Sequence, residues 1–249
     1  MEIIPDSIAV KPESIAIVGW HEGDAGQIDS WLEKYTGHHI ACFVNPSDKP
    51  LQIDIEGERK KRECKSFSFP TETSFKNKPL ITSLNWIDIL TDLGIKKVLI
   101  LTPDKVKRLE HINEASEKHM ELISAIHPTA VVMDDVILHE NVVLFPRTIV
   151  SYKAEVYPGV IVNTGAQIDH HNVIYHCAGI DPGVVTAGNV TVKKFAQIHT
   201  GAVIINKIRI GEGAIIGAGS VIIRDVPDYV TVVGVPGKII KYRNRNSAG

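Results

Sequence analysis

The second half of the chain follows a six-residue period of aliphatic positions. From Ala130 onward, the third residue of each six is Val, Leu or Ile in fifteen of sixteen consecutive repeats, and Thr186 is the exception. The period continues for 96 residues without an insertion, and such self-similarity is typical of repeat architectures. Six residues fit neither a helix of 3.6 residues per turn nor a two-faced strand. The pattern therefore predicts a triangular solenoid with one hexapeptide on each side.

This solenoid places residues that are 18 apart in the sequence on top of one another. Three hexapeptides close one turn, and the aliphatic third positions stack on their equivalents at the strand spacing of about 4.8 Å. The first positions are mostly small, which suits residues next to a tight corner. Glycine tolerates the backbone angles of such corners. It occupies the sixth position at Gly159, Gly165, Gly183, Gly201, Gly213 and Gly219.

The first half instead alternates short apolar runs with amphipathic stretches. Strands are predicted at residues 14–20, 39–44 and 97–101, and helices at 24–35, 85–93 and 103–120, the second helix being closed by Gly94. This alternation is typical of a small parallel sheet with helices on its faces. Residues 49–78 are polar and are expected to form a loop or excursion. The predicted domains are residues 1–127, of α/β class, and residues 128–249, the solenoid.

Composition narrows the class of protein. The 249 residues are 44% hydrophobic and 22% charged, with a formal net charge of −2, which argues against disorder and against a nucleic-acid partner. No apolar run approaches the roughly 20 residues that span a bilayer, and the N-terminus lacks a signal peptide. Three scattered cysteines form neither a disulfide framework nor a zinc knuckle. We expect a cytoplasmic protein with no membrane partner.

Two motifs in the second half carry a family resemblance. Residues 233–238 (VGVPGK) are similar to the G-x-P-A-K ending of hexapeptide-repeat acyltransferases, with Gly237 in place of alanine. The repeat resembles the left-handed parallel β-helix of these enzymes, and its hand, an exception to the usual crossover rule, is implied by the resemblance alone. With the α/β domain in front, the chain resembles the sialic-acid and amino-sugar acyltransferases, the NeuD/PglD group. The resemblance implies a Rossmann-like N-terminal domain that binds a sugar nucleotide.

Acyl transfer requires a base, an oxyanion donor and a coenzyme groove. The segment from Asn163 to His170 is similar to the family motif N-T-x-x-x-I-[DE]-H, which implies that His170 is the base and that Asn163 contacts the acceptor. The alternative is a solvent-facing histidine. Gly188 lies 18 residues after His170, and a glycine leaves its N–H open to a ligand. The resemblance implies that this N–H is the oxyanion donor. The alternative is that Gly188 is an ordinary corner glycine without a catalytic role.

Several positions depart from the family pattern. His171 stands where an acidic residue often follows the base, which leaves Asp169 or a neighbouring chain to orient the imidazole. A second family histidine falls at Gly179. In the N-terminal domain, Asp24 stands where a histidine is usual in the glycine-rich loop. The candidate acceptor-binding residues there are Gly19, His21, Gly23, Asn45 and Asp48.

The resemblance also implies acetyl-CoA as co-substrate, lying along the C-terminal turns. The matching positions are Gly188, Thr200, Ala218, Pro236 and Lys238. A metal site is the alternative suggested by His171 and His176, which are five residues apart, as in trimeric β-helix carbonic anhydrases. The positions 36 residues before them are Asp135 and Glu140, so the third histidine is missing and no metal is expected.

The sequence thus predicts acetyl transfer from acetyl-CoA to the amine of a nucleotide-linked amino sugar, with a UDP-sugar as the expected form. A hydroxyl of sialic acid or another sugar is the alternative acceptor. The rival from another class is a non-catalytic sugar-nucleotide-binding scaffold, favoured by Gly179 and by the altered loop at Gly19. A homotrimer is expected, because the flat sides of the prism would otherwise expose aliphatic surface.

Overall fold

The structure, a computed structural model, describes residues 2–51, 56 and 68–244. Its contacts divide the chain into two units. The first comprises Met1–Pro103 with Glu114–Leu122, and the second comprises Asp104–Asn113 with Ile123–Gly249. The segment Asp104–Asn113 therefore groups with the repeat, upstream of residue 127, where the sequence pattern alone puts the boundary.

The first unit contains a six-stranded sheet in the order β3-β4-β2-β1-β5-β6. All neighbours are parallel except β3 and β4. The chain therefore builds outward from the central strand β1, with β2 on one side and β5 on the other. The strands are β1 Ser14–Val18, β2 His39–Asn45, β3 Ser74–Phe75, β4 Lys78–Thr82, β5 Lys97–Ile100 and β6 Glu121–Leu122.

Strands β1, β2 and β5 lie where the apolar runs predicted them. Strand β3 lies inside the excursion predicted at 49–78, and β4 begins at its last residue, Lys78, in a stretch for which no strand was predicted. Only two apolar residues, Leu80 and Ile81, follow the Lys78-Pro79 start of β4, so the sequence signal is weak. Leu80 nevertheless pairs with Phe43 of β2, and both side chains are buried. Much of the remaining predicted excursion, at 52–55 and 57–67, lies outside the described residues.

The helix predicted at 24–35 is broken into short pieces. Trp31, with φ −134°, leaves the helical region, and Gly37, with φ 76°, ends the last piece. Gly94, predicted as a helix cap, has φ 77°, which is the left-handed conformation of a C-terminal cap. No helix in the described ranges is long and apolar enough to span a membrane. The helical segments are a π-helical turn Glu22–Gly26 and α-helices Gln27–Asp29, Leu32–Thr36, Trp86–Asp92 and Lys105–Glu117.

The second unit is a parallel β-helix with three faces, which fits the left-handed form expected from the resemblance. Face 1 contains β7 Ala125–Ile126, β10 Val143–Leu144, β13 Ile161–Val162, β16 Gly179–Ile180, β19 Gln197–Ile198, β22 Ile215–Ile216, β24 Val230–Val233 and the antiparallel β25 Lys238–Tyr242. Face 2 contains β8 Val131–Val132, β11 Ile149–Val150, β14 Gln167–Ile168, β17 Val185–Thr186, β20 Val203–Ile204 and β23 Val221–Ile222. Face 3 contains β9 Ile137–Leu138, β12 Glu155–Val156, β15 Val173–Ile174, β18 Thr191–Val192 and β21 Arg209–Ile210.

The predicted stacking of residues 18 apart is confirmed through the repeat. Gln167 pairs with Val185, and Val185 pairs with Val203, on successive turns of face 2. The β-helix begins one hexapeptide earlier than predicted, because Ala125 of β7 already pairs with Val143. The last turn is two residues shorter, since Ile215 pairs with Thr231.

The aliphatic third positions point into the prism as predicted. Ile168, Ile180 and Ile204 are fully buried, whereas Val132 in the first turn is 37% exposed. The first positions, exemplified by Ala166 and Ala202, are also buried, so they fill the interior beside each corner. Both sets of side chains form one continuous core along the repeat.

The three corners differ in the residues that adopt positive φ. The first corner, between faces 1 and 2, uses Arg147, Gly165, Gly183, Gly201 and Gly219. The second corner, between faces 2 and 3, uses Asp135, Lys153, His171, Asn189 and Lys207. The third corner, between faces 3 and 1, uses Asn141, Gly159, Cys177, Phe195 and Gly213. The second corner therefore carries a side chain on every turn.

The segment Asp104–Asn113 makes polar contacts with the third corner. Arg108 Nη1 donates to Gly159 O at 3.1 Å. Lys105 Nζ donates to Phe195 O at 3.2 Å and to Ala196 O at 2.8 Å. Burial, aided by the nearby Arg108 charge, lowers the pKa of Lys105 to about 7.

Candidate functional site

The second corner brings His170 directly over Gly188. A Cβ atom on Gly188 would lie 2.3 Å from His170 Cε1 and 2.4 Å from His170 Nε2. The imidazole therefore occupies space that only a glycine leaves free. Gly188 N–H has no hydrogen-bond acceptor among the described residues, so it can donate to a ligand. A base and an open amide donor thus lie side by side on successive turns.

The partner of the His170 ring is His171. Their Nδ1 atoms are 3.0 Å apart, so one nitrogen donates to the other, and His170 Nε2 faces Gly188. The His171 ring also meets Tyr152 edge-on at a centroid distance of 5.6 Å. The Asp169 carboxylate instead accepts the backbone N–H of His170 at 2.7 Å. Asp169 therefore orients the backbone of this corner, and the predicted support of the ring by Asp169 is not the contact observed.

A second histidine, which the sequence analysis missed, is held by a carboxylate at the first corner. His199 Nδ1 lies 2.8 Å from Asp181 Oδ2, and Gln197 Nε2 donates to Asp181 Oδ1 at 2.8 Å. The Gln197 side chain covers Gly179, whose added Cβ would lie 2.3 Å from Gln197 Oε1. The signal was present in the sequence, because Asn163, Asp181 and His199 are spaced by 18.

Of the predicted coenzyme residues, Gly188 lies against His170, whereas Thr200 and Ala218 lie on the opposite edge of face 2. Thr200 and Ala218 are exposed and occupy the first corner on successive turns, linked by the bond from Gly219 N to Thr200 O at 2.9 Å. Pro236 is exposed in the turn that leads into β25, and Lys238 is exposed as the first residue of that strand. Within one chain, the candidate base is therefore separated from Thr200 and Ala218 by the width of face 2.

In the first unit, Gly19 joins the carboxyl ends of two strands. Its φ is +114°, and a Cβ there would lie 2.9 Å from the carbonyl carbon of Leu101, beyond β5. Its N–H donates to Val44 O of β2 at 2.7 Å. Ligands of open α/β sheets bind at this edge, but the glycine is already required by backbone packing.

The other predicted acceptor residues surround the same loop. His21 Nδ1 accepts the Gly23 N–H at 3.1 Å and thereby caps the π-helical turn. Asn45 is buried, and its amide donates to Lys49 O and Thr82 Oγ1. Asp48 is exposed. His21 and Asn45 therefore already have structural contacts at this edge of the sheet.

No group of three potential metal-ligating side chains occurs within residues 2–51, 56 and 68–244. His171 lies at the second corner, whereas His176 lies at the third corner beside Tyr157. The five-residue spacing therefore does not bring the two rings together. Burial is the main cause of a lowered pKa at His176.

A cavity of about 300 Å³ opens at the third corner, away from His170. Its wall combines cations with acidic side chains and an aromatic ring, and Lys193 Nζ lies 4.3 Å from the centroid of the Tyr175 ring. The lining residues are Tyr175, His176, Lys193, Lys194, Arg209, Glu212 and Asp228. The candidate catalytic pair, His170 and Gly188, thus lies at the open second corner and is not part of this cavity.

No family model matches the chain. Curated proteins of similar sequence include the serine acetyltransferase of Bacillus subtilis, 33% identical over 125 residues, which cover 41% of this chain and 58% of the relative. The serine acetyltransferase of Buchnera aphidicola is 37% identical over 86 residues, 33% of each chain. The chain therefore spans only part of the length of these relatives.

Solved structures match over almost the whole chain. PerB of Caulobacter crescentus, in complex with CoA and GDP-perosamine, gives a TM-score of 0.78 at 25% identity, covering 94% of this chain and 100% of that one. The acetyltransferase domain of PglB from Neisseria gonorrhoeae, in complex with acetyl-CoA, gives 0.74 at 25% identity, covering 92% and 99%. The predicted resemblance is confirmed: the chain is similar to sugar N-acetyltransferases with a hexapeptide-repeat β-helix.

Proposed function

We propose that the protein transfers an acetyl group from acetyl-CoA to the amine of a nucleotide-linked amino sugar. The observation that carries the proposal is the packing of His170 on Gly188, with its N–H unpaired among the described residues. A base next to an amide donor is the minimal arrangement for attack on a thioester carbonyl. The CoA complexes of similar structures support the co-substrate.

His170 and the Gly188 N–H have different roles in the proposed reaction. As the acceptor nitrogen attacks the thioester carbon, His170 takes the proton that the nitrogen loses. Gly188 N–H donates to the oxygen that becomes negative in the tetrahedral intermediate. Collapse of the intermediate breaks the carbon–sulfur bond and releases CoA, whose sulfur receives the proton from His170. No metal ion is required in this scheme.

The first unit is proposed to be the Rossmann-like domain that holds the acceptor. Supporting this role, the strand order reverses at β1, and Gly19, His21 and Gly23 lie at the carboxyl end of that strand. Helix and loop N–H groups at such an edge favour phosphate. PerB was solved with GDP-perosamine, which supports a nucleotide-linked acceptor and leaves the choice of base between UDP and GDP to experiment.

The proposal is tested by thiol release from acetyl-CoA with a panel of acceptors. We expect release with UDP- or GDP-linked amino sugars, and a singly acetylated product by mass spectrometry. The matched controls are the corresponding sugar nucleotides with a hydroxyl in place of the amine, together with free sialic acid. Release only with the hydroxyl acceptors would replace amine transfer by O-acetylation. Binding of CoA and sugar nucleotide without release would support the scaffold function.

We propose that the active form is a homotrimer, in which a neighbouring chain supplies the coenzyme-binding edge. Within one chain, His170 lies on one edge of face 2, and Thr200 and Ala218 lie on the other. The outward residues of this face are largely aliphatic, and Val131 and Val203 are 51% and 38% exposed. Covering such a strip against another copy would remove apolar surface from water.

Light scattering is expected to give three times the monomer mass at micromolar concentration. Val203→Asp, on face 2, should shift the mass toward the monomer and reduce thiol release, because it places a charge in the proposed interface. Ile137→Asp is the matched control, since Ile137 is 54% exposed on face 3. A monomeric parent, or equal dissociation of both variants, would contradict the proposal.

A further inference from the structure

Two polar side chains interrupt the aliphatic interior next to the candidate catalytic pair. Thr186 is the single exception among the sixteen third positions, and Asn172 holds a first position. Both are almost completely buried, at 1% and 0% exposure. Thr186 precedes Gly188 by two residues, and Asn172 follows His170 by two. Buried polar groups in an apolar core cost stability unless they are hydrogen-bonded, so their partners are informative.

The two side chains bond to each other and to both corners. Asn172 Nδ2 donates to Thr186 Oγ1 at 2.7 Å, and the Thr186 hydroxyl donates to Gln167 O at 3.2 Å. Asn172 Oδ1 accepts the backbone N–H of Val190. The network therefore begins before the His170 corner, at Gln167, and ends after the Gly188 corner, at Val190.

The Asn172 side chain supplies an acceptor for Val190 N–H that the corner itself does not provide. In most turns of the β-helix, the first-position N–H donates to the carbonyl three residues earlier, as from Ala178 to Tyr175 O at 3.2 Å and from Ala202 to His199 O at 3.2 Å. In this described stretch, Val190 N–H makes no such bond to Ala187 O. On the turns directly before and after, the N–H groups of Asn172 and Ile208 likewise make no such bond among the described residues. The Gly188 corner differs from these two in that a side chain, that of Asn172, supplies the acceptor.

We propose that Asn172 and Thr186 are positioning residues that set the Gly188 peptide relative to the His170 imidazole. This inference rests on the proposed acetyl transfer. Without the Asn172 acceptor, Val190 N–H loses the hydrogen bond that holds it, and the peptide units between Ala187 and Val190, including that of Gly188, shift. The oxyanion donor and the base then lose alignment, although neither has been changed. The interior itself does not require polar groups, because aliphatic residues occupy the equivalent positions of adjacent turns.

The test is the double substitution Asn172→Val and Thr186→Val, which restores residues of similar volume used elsewhere in the repeat. We expect kcat to fall by about 10- to 100-fold, since small misplacements of catalytic groups have effects of this size. KM for acetyl-CoA should stay within about twofold, and the melting temperature should be equal or higher. The single variant Thr186→Ser keeps the hydroxyl group and should therefore keep most of the parent's kcat.

Thr148→Val is the matched control, because Thr148 is fully buried in the same core and bonds only within its own turn, to Phe145 O. It should leave kcat within about twofold. A crystal structure of the double variant should show the Gly188 peptide displaced from its position against the His170 ring. A double variant that keeps the parent's kcat, or that leaves the Gly188 peptide in place, would overturn the inference. An inactive parent would instead refute the proposed function, while the corner geometry could still be compared.

Discussion

Alanine in place of His170 is expected to lower kcat by about 10²–10⁴-fold, the range for a lost general base, and to leave the fold intact. The side chain is exposed, its ring bonds to His171, and it lies over the Gly188 backbone, so its removal takes nothing from the core. The measurement is thiol release under saturating acetyl-CoA, with circular dichroism as the check on folding. KM for acetyl-CoA should change little, because the base acts on the acceptor.

Two other histidines serve as controls for this assignment. His171→Ala removes only the ring that supports His170 and should cost less than His170→Ala. His199→Ala removes the histidine held by Asp181, the arrangement that typically orients a base. If His199→Ala abolished turnover while His170→Ala was mild, the base would be His199. Equal and mild effects of His170→Ala and His171→Ala would also rule out His170 as the base.

Gly188→Ala is expected to lower kcat by about 100-fold although it adds a single methyl group. The new Cβ would lie 2.4 Å from His170 Nε2, so the imidazole must leave its place over the amide donor. A misplacement of about 1 Å is sufficient for a loss of this size. The displaced atoms belong to an exposed side chain, so the ring can move without strain in the core.

The fold should tolerate this alanine. The φ of Gly188 lies outside the left-handed region, so the backbone suits an alanine, and replacing glycine also lowers the entropy of the unfolded chain. The melting temperature is therefore expected to stay at or above that of the parent. Asn206→Ala is the matched control, because Asn206 holds the same corner position one turn later. Unchanged turnover in Gly188→Ala would mean that the ring over Gly188 is not the catalytic arrangement.

The repeat half was predictable because one rule governs it. Aliphatic spacing defines the faces, and the interval of 18 residues alone places His170 against Gly188. The same interval pairs Asp181 with His199, but no family motif marks that pair. Hydrogen bonds between residues 14 apart, as for Asn172 and Thr186, run across the prism interior and are not given by stacking.

The sequence predicted less of the first unit and of the segment that precedes the repeat. Strand β4 was missed because pairing with β2, and not its own apolar run, makes it a strand. Lys105 lies in a charged stretch that predicted a helix and no contact with the repeat, and its amine is buried against the carbonyls of Phe195 and Ala196. Such contacts depend on residues about 90 positions away, which no local pattern encodes.

The stacking of turns also determines which changes of chain length this half can accept. A deletion of one whole turn outside the segment from His170 to Gly188 leaves these two residues adjacent. A deletion of six residues between them would instead bring Lys194 into the place of Gly188, because Lys194 would then be the residue 18 positions after His170. Lineages that lengthen or shorten this β-helix are therefore expected to do so in whole turns, or outside the turns that carry the reaction.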